Sequence, residues 1–315
     1  MELIAKVTNK CDMACSFCSA NNLCSYTLTP EEVISAANAT KANTLIILGG
    51  EALTLSPEYY FNILENTKDI NLDFTTNLKD FYLHPDKWAP LFRNERVHVC
   101  TSFNYGNTRK WDKDTIYTED MFIHTEELFK EYVGYVPMFI SVIDKNNVDT
   151  WRDHIELAKR LGTMCRLNNA MKFGRQSEYF PRSKLFKIWV QIIKDGNERY
   201  EANVFERDKG RCPINTSLVC HSTIRVVSKD DNGKIQFHNC DDRSNGCMAP
   251  IKENIYELPK KQKITRVISD KCYACELFRL CNACDTNVMQ ITDKEDYCND
   301  MLSIKDDIIK YGWKL

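Results

Sequence analysis

A chain of 315 residues, 43% hydrophobic and 27% charged, is long enough to bury the core of one large domain and a smaller one. A formal net charge of -2 argues against nucleic acid as a partner, and no apolar run is long enough to span a bilayer. Polar Thr8, Asn9 and Lys10 follow the first apolar residues directly, which argues against a secretory signal. A cytoplasmic, reducing setting is therefore expected, in which fifteen cysteines serve metal rather than disulfides.

Short β-like runs alternate with amphipathic segments over the first two hundred residues. Strands are predicted at 3–7, 44–48, 72–75, 97–103, 136–143 and 164–168, and helices at 30–39, 57–67, 85–92, 119–132 and 149–161. Thr29-Pro30-Glu31-Glu32 and Ser56-Pro57-Glu58 place a capping hydroxyl before a proline and an acidic first turn. Strands alternating with helices predict a parallel sheet with right-handed crossovers. A tally of six rather than eight favours an α/β fold of the partial (β/α)6 TIM-like barrel type, with ligands collecting at the C-terminal strand ends.

The loop after the first strand reads Cys11-Asp12-Met13-Ala14-Cys15-Ser16-Phe17-Cys18, a C-x3-C-x2-C spacing. Three thiolates on one tight loop can hold three irons of a cubane [4Fe–4S] cluster and leave the fourth iron open. The plain alternatives are a zinc knuckle short of a ligand or three buried thiols. Gly49-Gly50-Glu51 ends the second strand, where two glycines let the backbone approach a ligand and an acid can meet an amino group; a simple strand-to-helix turn is the alternative. Polar residues close the next strands: Thr76 and Asn77 after the third, Ser102 and Asn104 on the fourth, Ser141 on the fifth. Each can equally satisfy a strand end. Residues 168–175 close the sixth strand with Gly174-Arg175, and 183–199 reads as a helix whose Leu185, Trp189, Ile192 and Ile193 form a core stripe.

Composition shifts after residue 203. Nine cysteines follow, with Cys272-x2-Cys275-x5-Cys281-x2-Cys284 and Cys298 at their centre. A hairpin is predicted from 224–227 and 235–237 around Asp231-Asn232-Gly233, with Cys220 and Cys240 at its ends, and a last helix over 295–311. Paired C-x2-C units also suit a zinc ribbon, yet nine thiols exceed one zinc site.

The cysteine triplet and the Gly-Gly-Glu turn one βα unit later closely resemble the radical S-adenosylmethionine enzymes. The resemblance covers residues 1–205. It implies that Cys11, Cys15 and Cys18 bind a [4Fe–4S] cluster whose open iron chelates S-adenosylmethionine. By the same match, Phe17 packs near the adenine, and Gly49, Gly50 and Glu51 line the methionine amino group, with Ala52 where the family usually has proline. Thr76 and Asn77 face the cofactor, Ser102 and then Asn104 meet the ribose, Ser141 the methionine carboxylate, and Arg175 an anion or a structural salt-bridge partner. Residues 206–315 resemble the SPASM extension of these enzymes, an α+β domain with up to two auxiliary [4Fe–4S] clusters. That match assigns Cys212, Cys220, Cys240 and Cys284 to one cluster, Cys272, Cys275, Cys281 and Cys298 to the other, and leaves Cys247 spare. A two-residue last gap where the family has three, and six residues between Gly233 and Cys240 rather than four, are departures. Cys24, Cys100 and Cys165 fit no set and are read as buried or free thiols.

What the resemblance implies is reductive cleavage of S-adenosylmethionine to a 5′-deoxyadenosyl radical that abstracts a substrate hydrogen, with electrons from a donor such as flavodoxin or ferredoxin. A peptide is the first substrate class, to be crosslinked, epimerised or oxidised. Cys11 stands ten residues after Met1, leaving no room before it for a leader-binding domain, so a small molecule such as a sugar, nucleoside or nucleotide is the second. A non-catalytic zinc-binding protein is the third. No catalytic acid, base or quencher is assigned; Tyr105, Cys100 and Asp73 are guesses, and Arg109 with Lys110 either attract an acidic substrate or form a solvated loop.

Overall fold

The computed structural model describes residues 2–18, 25–172, 174–207, 226–230, 232–238, 274–277 and 294–313. The first strand, β1 (Glu2–Thr8), buries Leu3, Ala5 and Val7 and leaves Ile4 and Lys6 half-buried, the period-two pattern of a strand with two different faces. β2 (Thr44–Gly49), β3 (Asn71–Thr75), β4 (Val97–Ser102), β5 (Met138–Ile143) and β6 (Cys165–Asn169) add in order on one side, all parallel. The crossovers carry α1 (Pro30–Thr40), α2 (Pro57–Asn66), α3 (Lys79–Leu83), α4 (Pro85–Phe92), α5 (Glu119–Val133) and α6 (Trp151–Leu161). The mostly parallel sheet is consistent with a partial TIM barrel.

Helix starts follow the local chemistry. Thr29 Oγ1 accepts from the Glu32 amide at 3.3 Å, and the Glu32 carboxylate accepts from the Thr29 amide at 2.7 Å, a capping box that stabilises α1 by about 1 kcal/mol. Ser56 makes no capping bond, so α2 begins on Pro57 alone, its fixed φ suiting the first helical position. Between β3 and α4 the chain makes the short α3, which the sequence pattern did not announce. It is entered through Leu78 in a left-handed conformation (φ 58°).

Two cores cover the sheet's buried face. Leu3, Leu45, Leu72 and Phe74 pack against Val33, Tyr60, Trp88 and Phe92. Phe139, Ile143 and Leu167 pack against Ile155, Phe186 and Trp189. The last two come from α7 (Arg182–Lys194), which ends five residues before the predicted boundary because Gly196 turns left-handed (φ 69°) and carries the chain out. The short α8 (Ala202–Phe205) follows.

Beyond residue 206, the predicted hairpin forms as β7 (Val226–Lys229) and β8 (Ile235–His238). It extends the barrel sheet: β7 pairs parallel with β1, giving the order β6-β5-β4-β3-β2-β1-β7-β8. The predicted last helix is two, α9 (Lys294–Ser303) and α10 (Lys305–Lys310), broken at Ile304. Tyr297, Met301 and Ile308 join the second core, and Lys187 and Lys194 of α7 pair with Asp300 and Asp307 at 2.6 and 2.8 Å. Among the described residues no helix is long and apolar enough to cross a membrane.

Candidate functional site

The cysteine loop leaves the C-terminal edge of β1 and is pinned on three sides. At its stem the Gly50 and Glu51 amides donate to the carbonyls of Thr8 and Lys10, both at 2.7 Å. This approach is why two glycines stand here. A Cβ on Gly50 would lie 2.6 Å from the Asn9 carbonyl oxygen and closer still to that of Lys10, and one on Gly49 would strike the Thr8 carbonyl. The glycines therefore seat the loop's own backbone, where the sequence suggested room for a ligand. On the second side Asn77 Nδ2 donates to Asp12 Oδ1 at 2.8 Å, and Lys79 Nζ donates to the carbonyls of Asp12 at 2.8 Å and Trp111 at 2.6 Å. On the third, the amides of Ala14 and Ser16 donate to Lys110 and Thr108 at 3.1 and 2.9 Å, and the Arg175 amide donates to Cys18 at 2.8 Å.

Glu51 ties the ends of β2 and β3 together. Its buried carboxylate accepts from the Leu53 amide at 2.9 Å, the Thr76 hydroxyl at 2.5 Å and the Asn77 amide at 2.7 Å. Burial pushes this carboxyl up to about 7 against the pull of those three donors. Thr76 Oγ1 also accepts from the Leu78 amide at 3.0 Å, which holds the left-handed turn.

These supports frame a cleft of about 270 Å³ at the C-terminal strand ends. Cys11, Cys15, Cys18 and Phe17 line one part of it, and Gly49, Gly50, Glu51, Thr76 and Asn77 another. Ser102, Val142, Asn168 and Asn169 close the far side. Among the described residues the Ser102 hydroxyl and the Asn168 side-chain amide make no hydrogen bond.

Three expected residues stand elsewhere. Ser141 faces the helices, because on β5 it alternates with Val142, which takes the cleft face; its Oγ lies 2.7 Å from Nε2 of buried His154. Asn104 is buried behind the cleft, its amide donating to the Val142 carbonyl at 2.7 Å. Arg175 meets the loop through its backbone amide, and it is not part of the lining. The guessed acid–base groups do not line the cleft either: Asp73 pairs with His98 at 2.9 Å, and Tyr105 packs edge-on to His154. Cys100 is half-buried and Cys165 buried, both free thiols. Cys24, Cys212, Cys220, Cys240, Cys247, Cys272, Cys281 and Cys284 lie outside the described residues. Cys275 is half-buried and Cys298 exposed.

Met13, Met171 and Gln176 were missed as lining residues. Arg109, read from the sequence as attracting an acidic substrate or standing in a solvated loop, lines the cleft and is not solvated. It is 6% exposed, lies with its guanidinium 5.2 Å from the centre of the Phe17 ring, and donates from Nη2 to Asn104 Oδ1 at 3.1 Å.

Cys11, Cys15 and Cys18 are free thiols opening on one cleft. Among the described residues no three Cys, His, Asp or Glu side chains are grouped to hold one metal ion. Three thiols opening on one cleft are the donor set that a polynuclear iron–sulfur cluster takes, each thiolate binding its own iron.

Residues 5–158 match the model of the Radical SAM superfamily. No curated protein matches the sequence. Among solved structures, native anSMEcpe with bound AdoMet is similar at a TM-score of 0.69 and 19% identity, over 98% of this chain and 96% of that one. The same protein with AdoMet and the Cp18Cys peptide gives 0.68 and 18%, over 98% and 97%. Streptococcus suis SuiB bound to its precursor peptide SuiA gives 0.63 and 16%, over 93% and 73%. At these identities the likeness is one of fold.

Proposed function

We propose that this chain is a radical S-adenosylmethionine enzyme that modifies a peptide. The observation that carries the proposal is the joining of Cys11, Cys15 and Cys18 with the Gly49–Glu51 turn and the ends of β3, β4 and β6 around one cleft. Cys11, Cys15 and Cys18 would hold a [4Fe–4S] cluster through three irons. Bound there, the cluster and S-adenosylmethionine would supply one-electron chemistry able to take a hydrogen atom from an unactivated carbon. The protein's part is placement. The pinned loop fixes the thiols, Phe17 offers an aromatic face to the adenine, and Ser102 and Asn168 keep hydrogen bonds free for the ligand. Val142 and Met171 narrow the apolar side of the cleft and help exclude water.

A peptide substrate is favoured by similar folds, two of which hold a peptide. Residues 206–315 would carry one or two auxiliary [4Fe–4S] clusters on the remaining cysteines, beside a barrel of residues 1–205. Such clusters would move the electron left on the substrate. A reducing cytoplasm and an external one-electron donor complete the proposal.

The test is iron and acid-labile sulfide per chain after anaerobic reconstitution, followed by release of 5′-deoxyadenosine from S-adenosylmethionine under dithionite. About twelve irons, with release lost in a Cys11→Ala/Cys15→Ala/Cys18→Ala variant, are expected. About four irons would remove the auxiliary clusters from the proposal. Zinc in place of iron, with no release, would overturn it.

A further inference from the structure

We propose that Arg109 is the built-in counter-charge of the cysteine loop and raises the reduction potential of the cluster held there. The inference rests on the assignment of that cluster to Cys11, Cys15 and Cys18.

Arg109 is nine-tenths buried, yet no carboxylate among the described residues pairs with it. Its side-chain contacts are uncharged: Asn104 Oδ1 at 3.1 Å from Nη2, and the Phe17 ring at 5.2 Å. Asn104 is itself 1% exposed and locked by the Val142 carbonyl at 2.7 Å, so it holds the guanidinium in one place. Among the described residues the buried Arg109 Nε has no hydrogen-bond partner. The two carboxylates of the loop region are committed elsewhere, Asp12 to Asn77 and Glu51 to Thr76 and Asn77. A buried cation is costly unless an anion compensates it, and a neutral amide and a ring face do so only in part.

The missing anion is at the cleft that Arg109 lines. Phe17 stands between Cys15 and Cys18, and the residues flanking Arg109, Thr108 and Lys110, accept from the loop amides of Ser16 and Ala14. The cation is therefore tied to the thiols by the same hydrogen bonds that shape their loop. In the redox step one electron from an external low-potential donor enters the cluster. No bond forms or breaks and no proton moves, so cluster and thiolates together become more negative by one charge. A fixed cation stabilises the more negative state more than the other, which raises the potential.

The experiment is a dithionite titration of the anaerobic, reconstituted full-length protein, followed by the electron paramagnetic resonance of the reduced cluster. The signal that disappears in the three-cysteine variant is the one followed. For Arg109→Gln the equilibrium constant of reduction should fall about tenfold, a potential lower by about 59 mV, while Arg109→Lys stays near wild type. Asn104→Ala should shift the potential in the same direction by less. A cluster that assembles in Arg109→Gln with an unmoved potential overturns the proposal, even if affinity for S-adenosylmethionine changes. Loss of assembly in both the glutamine and lysine variants also overturns it, because the retained charge should rescue; loss in the glutamine variant alone supports it. A wild-type protein with no signal dependent on the three cysteines would instead sink the cluster assignment, and the proposal with it.

Discussion

The two rims of the cysteine cleft are built on opposite principles. On the rim of β1, β2 and β3 the polar groups satisfy one another: Glu51 holds Thr76 and Asn77, Asn77 holds Asp12, and Lys79 holds the Asp12 and Trp111 carbonyls. On the rim of β4 to β6, Ser102 and Asn168 make no side-chain hydrogen bonds among the described residues, and Arg109 Nε is buried unpaired. One rim is a frame and the other keeps unused capacity. A site needs both, because groups that must bind a ligand cannot also be the ones that fix the geometry.

The sharpest way to break that contrast is Glu51→Ala. It strands the Leu53 and Asn77 amides and the Thr76 hydroxyl in a buried place, at a cost of about 4 kcal/mol. Urea unfolding would measure it, and a change below about 1 kcal/mol would mean that this rim is no frame. Gly50→Ala comes next. Its new methyl group has no room against the Asn9 and Lys10 carbonyls, so about 3 kcal/mol and the capacity to assemble a cluster should be lost together. Retention of full iron content in that variant would contradict the seating of the loop by Gly50.

Behind the second rim lies a pH dependence. Burial pushes His154 down to about 4 from an ordinary 6.5, so between those values the native state binds fewer protons than the unfolded one. The contribution of His154 to stability is full above about pH 6.5 and is lost as the pH drops toward 4, by up to roughly 3 kcal/mol, while the raised Glu51 carboxyl pulls the opposite way between its ordinary 4.5 and about 7. Thermal melts of wild type and His154→Gln across this window isolate the histidine: the variant should lose less stability on acidification, and equal slopes in both proteins would remove His154 as a cause. The smallest effect belongs to the free groups. Ser102→Ala should leave stability within about 0.5 kcal/mol. Its affinity for S-adenosylmethionine, read by equilibrium dialysis, should drop about fivefold, near 1 kcal/mol. A stability loss as large as that of Glu51→Ala would erase the distinction between the rims.

Much of the fold was legible because its signals are local. The period-two burial of β1, the Thr29 capping box and the proline starts of α1 and α2 are read within a few residues. The α7 boundary went wrong because the apolar stripe runs on through Ile193 while Gly196, which ends the helix, lies inside the predicted span. The hairpin was recognised, but its pairing with β1 joins residues more than two hundred positions apart, and no turn signal carries that. In the site, Ser102 and Ser141 looked alike as small polar residues on strands. Only the face that each takes separates them, and one residue of register reverses it.

By itself, the sequence determined the thiol spacing, the strand–helix alternation and the placement of the cysteine loop at the C-terminal edge of the sheet, since each follows from residues close together in the chain. Tertiary structure alone decided that Gly49 and Gly50 serve the loop stem, that Asn104 serves Arg109, and that one rim is closed on itself while the other stays open. The physical reason is that hydrogen-bond satisfaction and burial belong to pairs of groups brought together by folding, and neither partner's identity shows in its own neighbourhood of the chain.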